Sequence, residues 1–289
     1  FQLYEQDRDM IANLLPDNSE RRTKQKQRDI TVVIGNPPYS AGQSSANDNA
    51  ANIKYLNLDR RIEETYAALS SANLKNSLYD SYIKAFRWAS DRIGDEGVIG
   101  FVTNAGWVDG NATDGFRKCL TDEFSKIYVF HLRGNARTSG ELRRKEKGNV
   151  FGEGTRTPIV ITILVKNNRS SEKGKIFFCD IGDYLDQKEK LSMIANFQSI
   201  DGIRQQNKFT RIEPDEDNDW VNQGDRAFNS FIKIGSKDKK HYEKIFSEYS
   251  NGIKTQRDAW CYNFSKSKLI TNSNKMLGVY NNYAERLGG

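Results

Sequence analysis

Cysteine and histidine are scarce, with three of the first and two of the second among 289 residues. Cys119, Cys179 and Cys261 form no CxxC pair, and His131 and His241 stand apart from them, so spacing offers no zinc-ligand cluster and points to no metal. Two isolated histidines also give no basis for a Ser-His-Asp or Cys-His nucleophile. The cysteines are expected to be reduced and structural. Long apolar runs are missing too. The longest, such as Ile159 to Val165, fall far short of a bilayer, and the N-terminus lacks the basic start and apolar core of a signal peptide. A soluble protein in the cytoplasm, with no membrane partner, is the expectation. No GxxxxGK phosphate loop and no internal repeat occur, which excludes a nucleotide-hydrolysing motor from this stretch. The sequence opens on Phe1 instead of an initiator Met and stops at Gly289 without a terminal element, so it is expected to be part of something longer.

The 37% of hydrophobic residues can bury an ordinary core in one large domain or two small ones. Lys and Arg outnumber Asp and Glu by 44 to 38, a net charge of +6 that suits a nucleic-acid partner without requiring one.

Along the chain, residues 3–15 place Leu3, Met10, Ile11, Leu14 and Leu15 near one helical face, and Pro16 ends the pattern. Residues 20–29 are almost wholly charged or amide-bearing, a solvated surface segment. The β-branched run Ile30 to Ile34, closed by Gly35, reads as a buried parallel strand. Residues 40–52 are mostly Ala, Ser and Asn with a Gly, a loop. Helical periodicity returns over 56–74 and over 78–93, where Leu78, Tyr82, Ala85, Phe86 and Ala89 share a face; a turn at 94–97 precedes the strand Val98 to Val102. An amphipathic helix over 114–124 buries Phe116, Leu120 and Phe124. The strand Ile127 to Leu132, a basic loop over 133–149 and the strand Ile159 to Val165 then suggest a hairpin at the sheet edge. Polar turns at 167–174, a strand at Lys175 to Cys179 and a helix over 186–197 follow.

Strand, helix, strand implies a right-handed crossover and a mostly parallel α/β sheet. The expected division is an N-terminal helix and linker over 1–29, an α/β domain over 30–168 and a mixed C-terminal extension over 169–289.

The residues that can carry chemistry are Asn36, Pro37, Pro38 and Tyr39, because ligands bind beyond the carboxyl ends of sheet strands. An exocyclic amine is a poor nucleophile, its lone pair being delocalised into the ring, so acceptors that hold the NH2 group help to orient it. Asn36 offers a side-chain carbonyl and Pro37 a main-chain one, and consecutive prolines restrict the turn before substrate arrives. Tyr39 offers a flat face for stacking on an extruded base, worth about 1–3 kcal/mol. The other reading is an ordinary turn with a half-buried tyrosine. Asp80 is read as a helix N-cap or a pocket neighbour, and Trp107 as loop packing or the rim of the opening. Arg133, Arg137, Arg143, Arg144 and Lys145, with Lys147, either follow DNA phosphates or decorate a solvated hairpin.

Ile34 to Ser40, IGNPPYS, resembles motif IV of the N6-adenine DNA methyltransferases, in which the Asn, the following Pro carbonyl and the aromatic residue hold a flipped adenine. The helix over 78–93, the segment Glu96 to Asn104, the helix over 114–124 and Thr157 to Val160 are similar to the elements that follow. Ser250 to Trp260, with Lys254 and Arg257, resembles a block of long single-chain restriction-modification enzymes, the type ISP kind, in which helicase and methyltransferase regions share one polypeptide. The resemblance implies a partial Rossmann-like S-adenosylmethionine-dependent methyltransferase fold, a mostly parallel sheet with a terminal antiparallel hairpin. It implies S-adenosyl-L-methionine as cofactor, double-stranded DNA with a flipped adenine as partner, and helicase and nuclease regions in the same polypeptide. It makes Lys254 and Arg257 further candidates for DNA contact. Asn36 and Tyr39 would border the cofactor. One departure stands out: residues 1–35 hold nothing like the glycine-rich loop that carries the cofactor's methionine end, so this stretch is expected to be inactive alone. Methyltransferases acting on protein glutamine or RNA amines share the tetrapeptide, and a non-catalytic DNA-recognition module is the reading from another class.

Overall fold

A computed structural model describes residues 16–39, 54–152, 154–225, 227, 230–236, 243–248 and 258–287. The chain forms two compact units, Phe1–Gln223 and Gly224–Gly289. The first contains α1 (Pro16–Gln27), β1 (Val32–Gly35), α2 (Leu56–Ile62, continued by a π-helical turn Glu63–Ala67), α3 (Ser81–Arg92), β2 (Glu96–Asn104), α4 (Gly106–Asp109), α5 (Asp114–Glu123), β3 (Lys126–Arg133), α6 (Gly140–Glu146), β4 (Ile159–Asn167), β5 (Lys175–Asp180), α7 (Gln187–Phe197), α8 (Ile200–Gln205) and β6 (Thr210–Ile212). In the second are β7 (Lys233–Gly235), β8 (Lys244–Phe246), α9 (Asp258–Cys261) and α10 (Lys266–Leu287), with β7 and β8 paired in parallel.

The six-stranded sheet has the order β1-β2-β4-β3-β5-β6. β1, β2, β3 and β5 run one way, and β4 and β6 run the other. The expected antiparallel hairpin is β3 with β4, but it is not at the edge: β4 inserts between β2 and β3, and β5 adds in parallel on the far side of β3. A boundary at residue 168 therefore falls inside the sheet. The polar stretch after β4 is a turn, closed by Ser170 N–H donating to the Asn167 carbonyl at 3.2 Å, and its composition marks a surface connection, not the end of a domain.

Two further expectations change. The segment after Pro16, expected to be a solvated linker, is helical over Pro16–Gln27. The helix expected over 3–15 lies outside the described residues. β1 is parallel as expected but not buried: Val32 is 55% and Ile34 82% exposed while Val33 and Gly35 between and beyond them are less so, which leaves one face of the strand uncovered among the described residues.

The core gathers where α3 and α5 cover the sheet. Leu78, Tyr82, Ala85, Phe86 and Ala89 are all buried, as are Phe116, Leu120 and Phe124. Phe86 meets Phe101, Phe116 and Trp107 at ring-centroid distances of 5.0, 5.2 and 5.9 Å, and burial of each ring stabilises by about 1.5–3 kcal/mol. Trp107 is fully buried here and is part of the core, not of an opening. Gly115 lets α5 touch the turn after α2, since a Cβ there would collide with the Tyr66 carbonyl oxygen. Cys119 and Cys179 are buried free thiols, pushed up by burial to about 12 and about 11, which keeps them inert. Among the described residues no helix is long and apolar enough to cross a membrane.

Candidate functional site

β1 delivers its last residues to the carboxyl edge of the sheet. Gly35 pairs with Phe101, and Pro37 and Pro38, lacking amides, cannot continue the ladder, so the chain leaves the sheet. Asn36 is exposed, Pro37 buried, Pro38 exposed and Tyr39 half-buried. The Tyr39 hydroxyl donates to Oδ1 of Asn36 at 3.2 Å, and its ring meets Tyr82 edge-on at 6.1 Å. Burial pushes the Tyr39 phenol up to about 12, so it is a neutral donor at physiological pH. Tyr82 beneath it is raised further, by burial and then by the negative charge of Asp80. Asp80 occupies the N-cap position of α3 with extended backbone, but its side chain makes no capping hydrogen bond.

Because four strands point the same way, the ends of β1, β2 and β3 share one edge. A polar cleft of about 220 Å³ opens there, between the end of β2 and the segment after it (Asn104, Gly106, Asp109) and the segment after β3 (Asn135, Arg137, Glu146), with His131 and the turn Thr157-Pro158 completing it. An apolar hollow of about 170 Å³ among Tyr128, Phe130, Ile194 and Phe197 shares no residue with it.

The basic segment is not uniformly available. Arg133 Nε donates to Asp180 at 2.7 Å and Nη1 reaches Asp183 at 2.5 Å, while Lys145 stands 3.4 Å from Asp183. Burial opposes ionisation of Asp180, yet His131 at 3.7 Å, Arg133 and the Gly182 amide prevail and hold its carboxyl well below the usual range. Arg143 donates to the Lys147 carbonyl at the end of α6. Lys147 lies 3.7 Å from Glu189. Arg144 is 78% exposed beside Glu141, and Arg137 is exposed on the cleft rim. Lys254 and Arg257 lie outside the described residues, as does most of the block from 250 to 260. Among these expectations the structure brings together Asn36 and Tyr39 at one edge, and holds Arg133 and Lys145 to protein carboxylates. Asp109, His131, Asn135 and Glu146 were not singled out from sequence; that each follows or ends a strand running with β1 was the available signal.

Residues 4–136 match the Eco57I restriction-modification methylase family, and residues 244–288 match the Type ISP C-terminal specificity domain. The chain carries an Eco57I-type methylase segment followed by a Type ISP specificity segment. Among solved structures, the ATP-dependent Type ISP restriction-modification enzyme LlaBIII bound to DNA is similar at 38% identity with a TM-score of 0.87, covering 98% of this chain and 18% of its own. A nuclease-deletion mutant of the Type ISP enzyme LlaGI, in complex with a DNA substrate mimic, gives 42% identity, a TM-score of 0.86 and coverages of 98% and 22%. The DrdV–DNA complex gives 34%, 0.81, 93% and 26%. The chain thus spans between 18% and 26% of the length of these enzymes. No curated protein matches it. Its six-stranded α/β unit resembles the S-adenosylmethionine-dependent methyltransferase fold, with the specificity segment as an extra C-terminal portion.

Proposed function

We propose that this methylase segment grips the target adenine of a DNA adenine-N6 methyltransferase within a longer restriction-modification polypeptide that also carries helicase and nuclease regions. The observation that supports the reading most is the placement of Asn36, with an exposed side-chain carbonyl, at the carboxyl end of β1 beside the half-buried ring of Tyr39. Asn36 Oδ1 and the Pro37 carbonyl accept hydrogen bonds from the adenine amine, draw electron density onto N6 and fix the lone pair toward the incoming methyl group. Tyr39 stacks on the base and offsets part of the cost of extruding it. The amine then sheds a proton to water.

S-adenosylmethionine supplies an electrophilic methyl group on sulfur. Asn36 and Tyr39 would border it, at the carboxyl end of β1. Residues 1–35 contain a single glycine, Gly35, so the loop for the methionine end comes from another stretch of the polypeptide, and this stretch alone transfers no methyl group. DNA is the partner, as in the three relatives, with the exposed Arg137, on the cleft rim, and Arg144, and the half-buried Arg143, as candidate phosphate contacts. Lys254 and Arg257 are retained as candidates for DNA contact. Nucleoside analysis of duplex DNA treated with the full-length polypeptide and S-adenosylmethionine tests this: N6-methyl-2′-deoxyadenosine is expected, and its absence together with methylated protein or RNA would overturn it.

A further inference from the structure

Arg117 lies on α5, fully buried, with a partner for each nitrogen of its guanidinium. Nη1 donates to the carbonyls of Gly110 at 2.8 Å and Trp107 at 3.1 Å and to Thr113 Oγ1 at 3.1 Å. Nε donates to the Asn218 carbonyl at 2.7 Å, and Nη2 to Asp219 Oδ1 at 2.5 Å. One buried cation thus ties the segment after β2 to a strap about a hundred residues later in the chain. The strap makes further contacts. Trp220, itself buried, meets Trp107 edge-on at 5.4 Å, and the Asn222 amide reaches Asp109 at 3.5 Å. It is also braced internally, since Asp215 Oδ1 accepts from the amides of Asp217 and Asp219 at 3.0 and 2.8 Å.

The segment held in this way is one wall of the cleft: Asn104, Gly106 and Asp109 line it. Its backbone is folded tightly, with the Asn104 side chain accepting from Gly106 N–H at 2.9 Å and no room for a Cβ on Gly110, which would sit 2.5 Å from the Gly106 carbonyl. Within the wall the Thr113 amide donates to the Gly110 carbonyl at 3.1 Å, and its hydroxyl, with a single proton to give, lies 2.8 Å from the Trp107 carbonyl and 2.7 Å from that of Gly110, so full pairing of both acceptors needs a further donor. Arg117 donates to both carbonyls alongside Thr113, and Asp219 balances its charge.

We propose that residues 213–223 form a positioning strap for the cleft wall, with Arg117–Asp219 as its latch, so that residues far from Asn36 in sequence fix the geometry in which the base is held. Arg117 and Asp219 are positioning residues; neither lines the cleft. The inference rests on the reading of this edge as the methyl-transfer site.

The test uses the full-length polypeptide and Asp219→Asn, which keeps shape and removes charge. Ile176→Val, at the amino end of β5, controls for lost stability. Asp219→Asn is expected to speed amide exchange over 105–113 without substrate by about tenfold. It should slow single-turnover methyl transfer by roughly 10-fold to 100-fold, with KM for duplex DNA changed less than about threefold. Unchanged exchange, faster exchange with an unchanged transfer rate, or the same losses in Ile176→Val would each overturn the strap. A wild type that methylates no DNA would instead remove the functional reading, while the exchange comparison still decides whether the latch holds the wall.

Discussion

The Tyr39 hydroxyl donates to the same Asn36 oxygen that the proposed reaction assigns to the adenine amine. A carbonyl oxygen has two lone pairs, so the bond orients Asn36 before the base arrives and leaves one acceptor site open. Stacking and orientation are then separable. Tyr39→Phe should keep methyl transfer within about threefold, and Tyr39→Ala should lower it about 5-fold to 150-fold, the value of roughly 1–3 kcal/mol of lost stacking. Equal losses in steady-state assays of the two variants would mean that the hydroxyl, not the ring, matters.

Salt dependence should separate the arginines. Arg133 is held by Asp180 and Asp183, whereas Arg137 and Arg144 are exposed. Arg137→Ala or Arg144→Ala should flatten the plot of log binding constant against log salt by about one unit each, the signature of a lost phosphate contact. Arg133→Ala should leave the slope unchanged and lower the unfolding midpoint. Fluorescence-anisotropy titrations at several salt concentrations make the comparison.

Lys190 carries a pH signature. It is buried in α7 and donates to the carbonyls of Glu146 at 3.0 Å and Gly148 at 2.6 Å, tying down the end of the basic segment. Burial lowers its ammonium from 10.5 to about 8. Between those values the unfolded chain holds a proton that the folded chain has released, so this residue's contribution to stability rises with pH across that window and is flat below it. Lys190→Met should cost about 1–3 kcal/mol at pH 7, by stranding two carbonyls. In urea titrations the wild type should gain on the variant from pH 8 to pH 10.

Phe86→Ala should destabilise by about 3–5 kcal/mol, because the ring contacts Phe101, Trp107 and Phe116 together and its removal leaves a cavity among large side chains that cannot collapse. A thermal shift below about 3 °C would show the cluster to be more yielding than its packing indicates.

Local pattern made much of this legible. The period of α3 and α5, the β-branched strands and the Asn-Pro-Pro-Tyr turn each follow from neighbours in sequence, and each stands where the pattern put it. What pattern could not show depends on distant partners. The insertion of β4 between β2 and β3 is decided by which strands pair, and the run Ile159 to Val165 reads the same at an edge or in the middle. The burial of Trp107 needs Phe86, Phe116 and Trp220 around it. The exposure of Ile34 reflects a face of β1 left uncovered among the described residues, which its own sequence does not disclose. Arg133 looked like any loop cation, and only the fold brings Asp180 and Asp183 against it.

The central claim is that Asn36 holds an adenine amine for methylation. Tritium transfer from labelled S-adenosylmethionine to duplex DNA by the full-length polypeptide, compared with its Asn36→Ala variant, tests it most directly. The account predicts label in adenine from the wild type and a loss of about 100-fold or more in the variant, with DNA binding retained. Equal labelling by both proteins, or label appearing in protein or RNA while the DNA stays unlabelled, would contradict it.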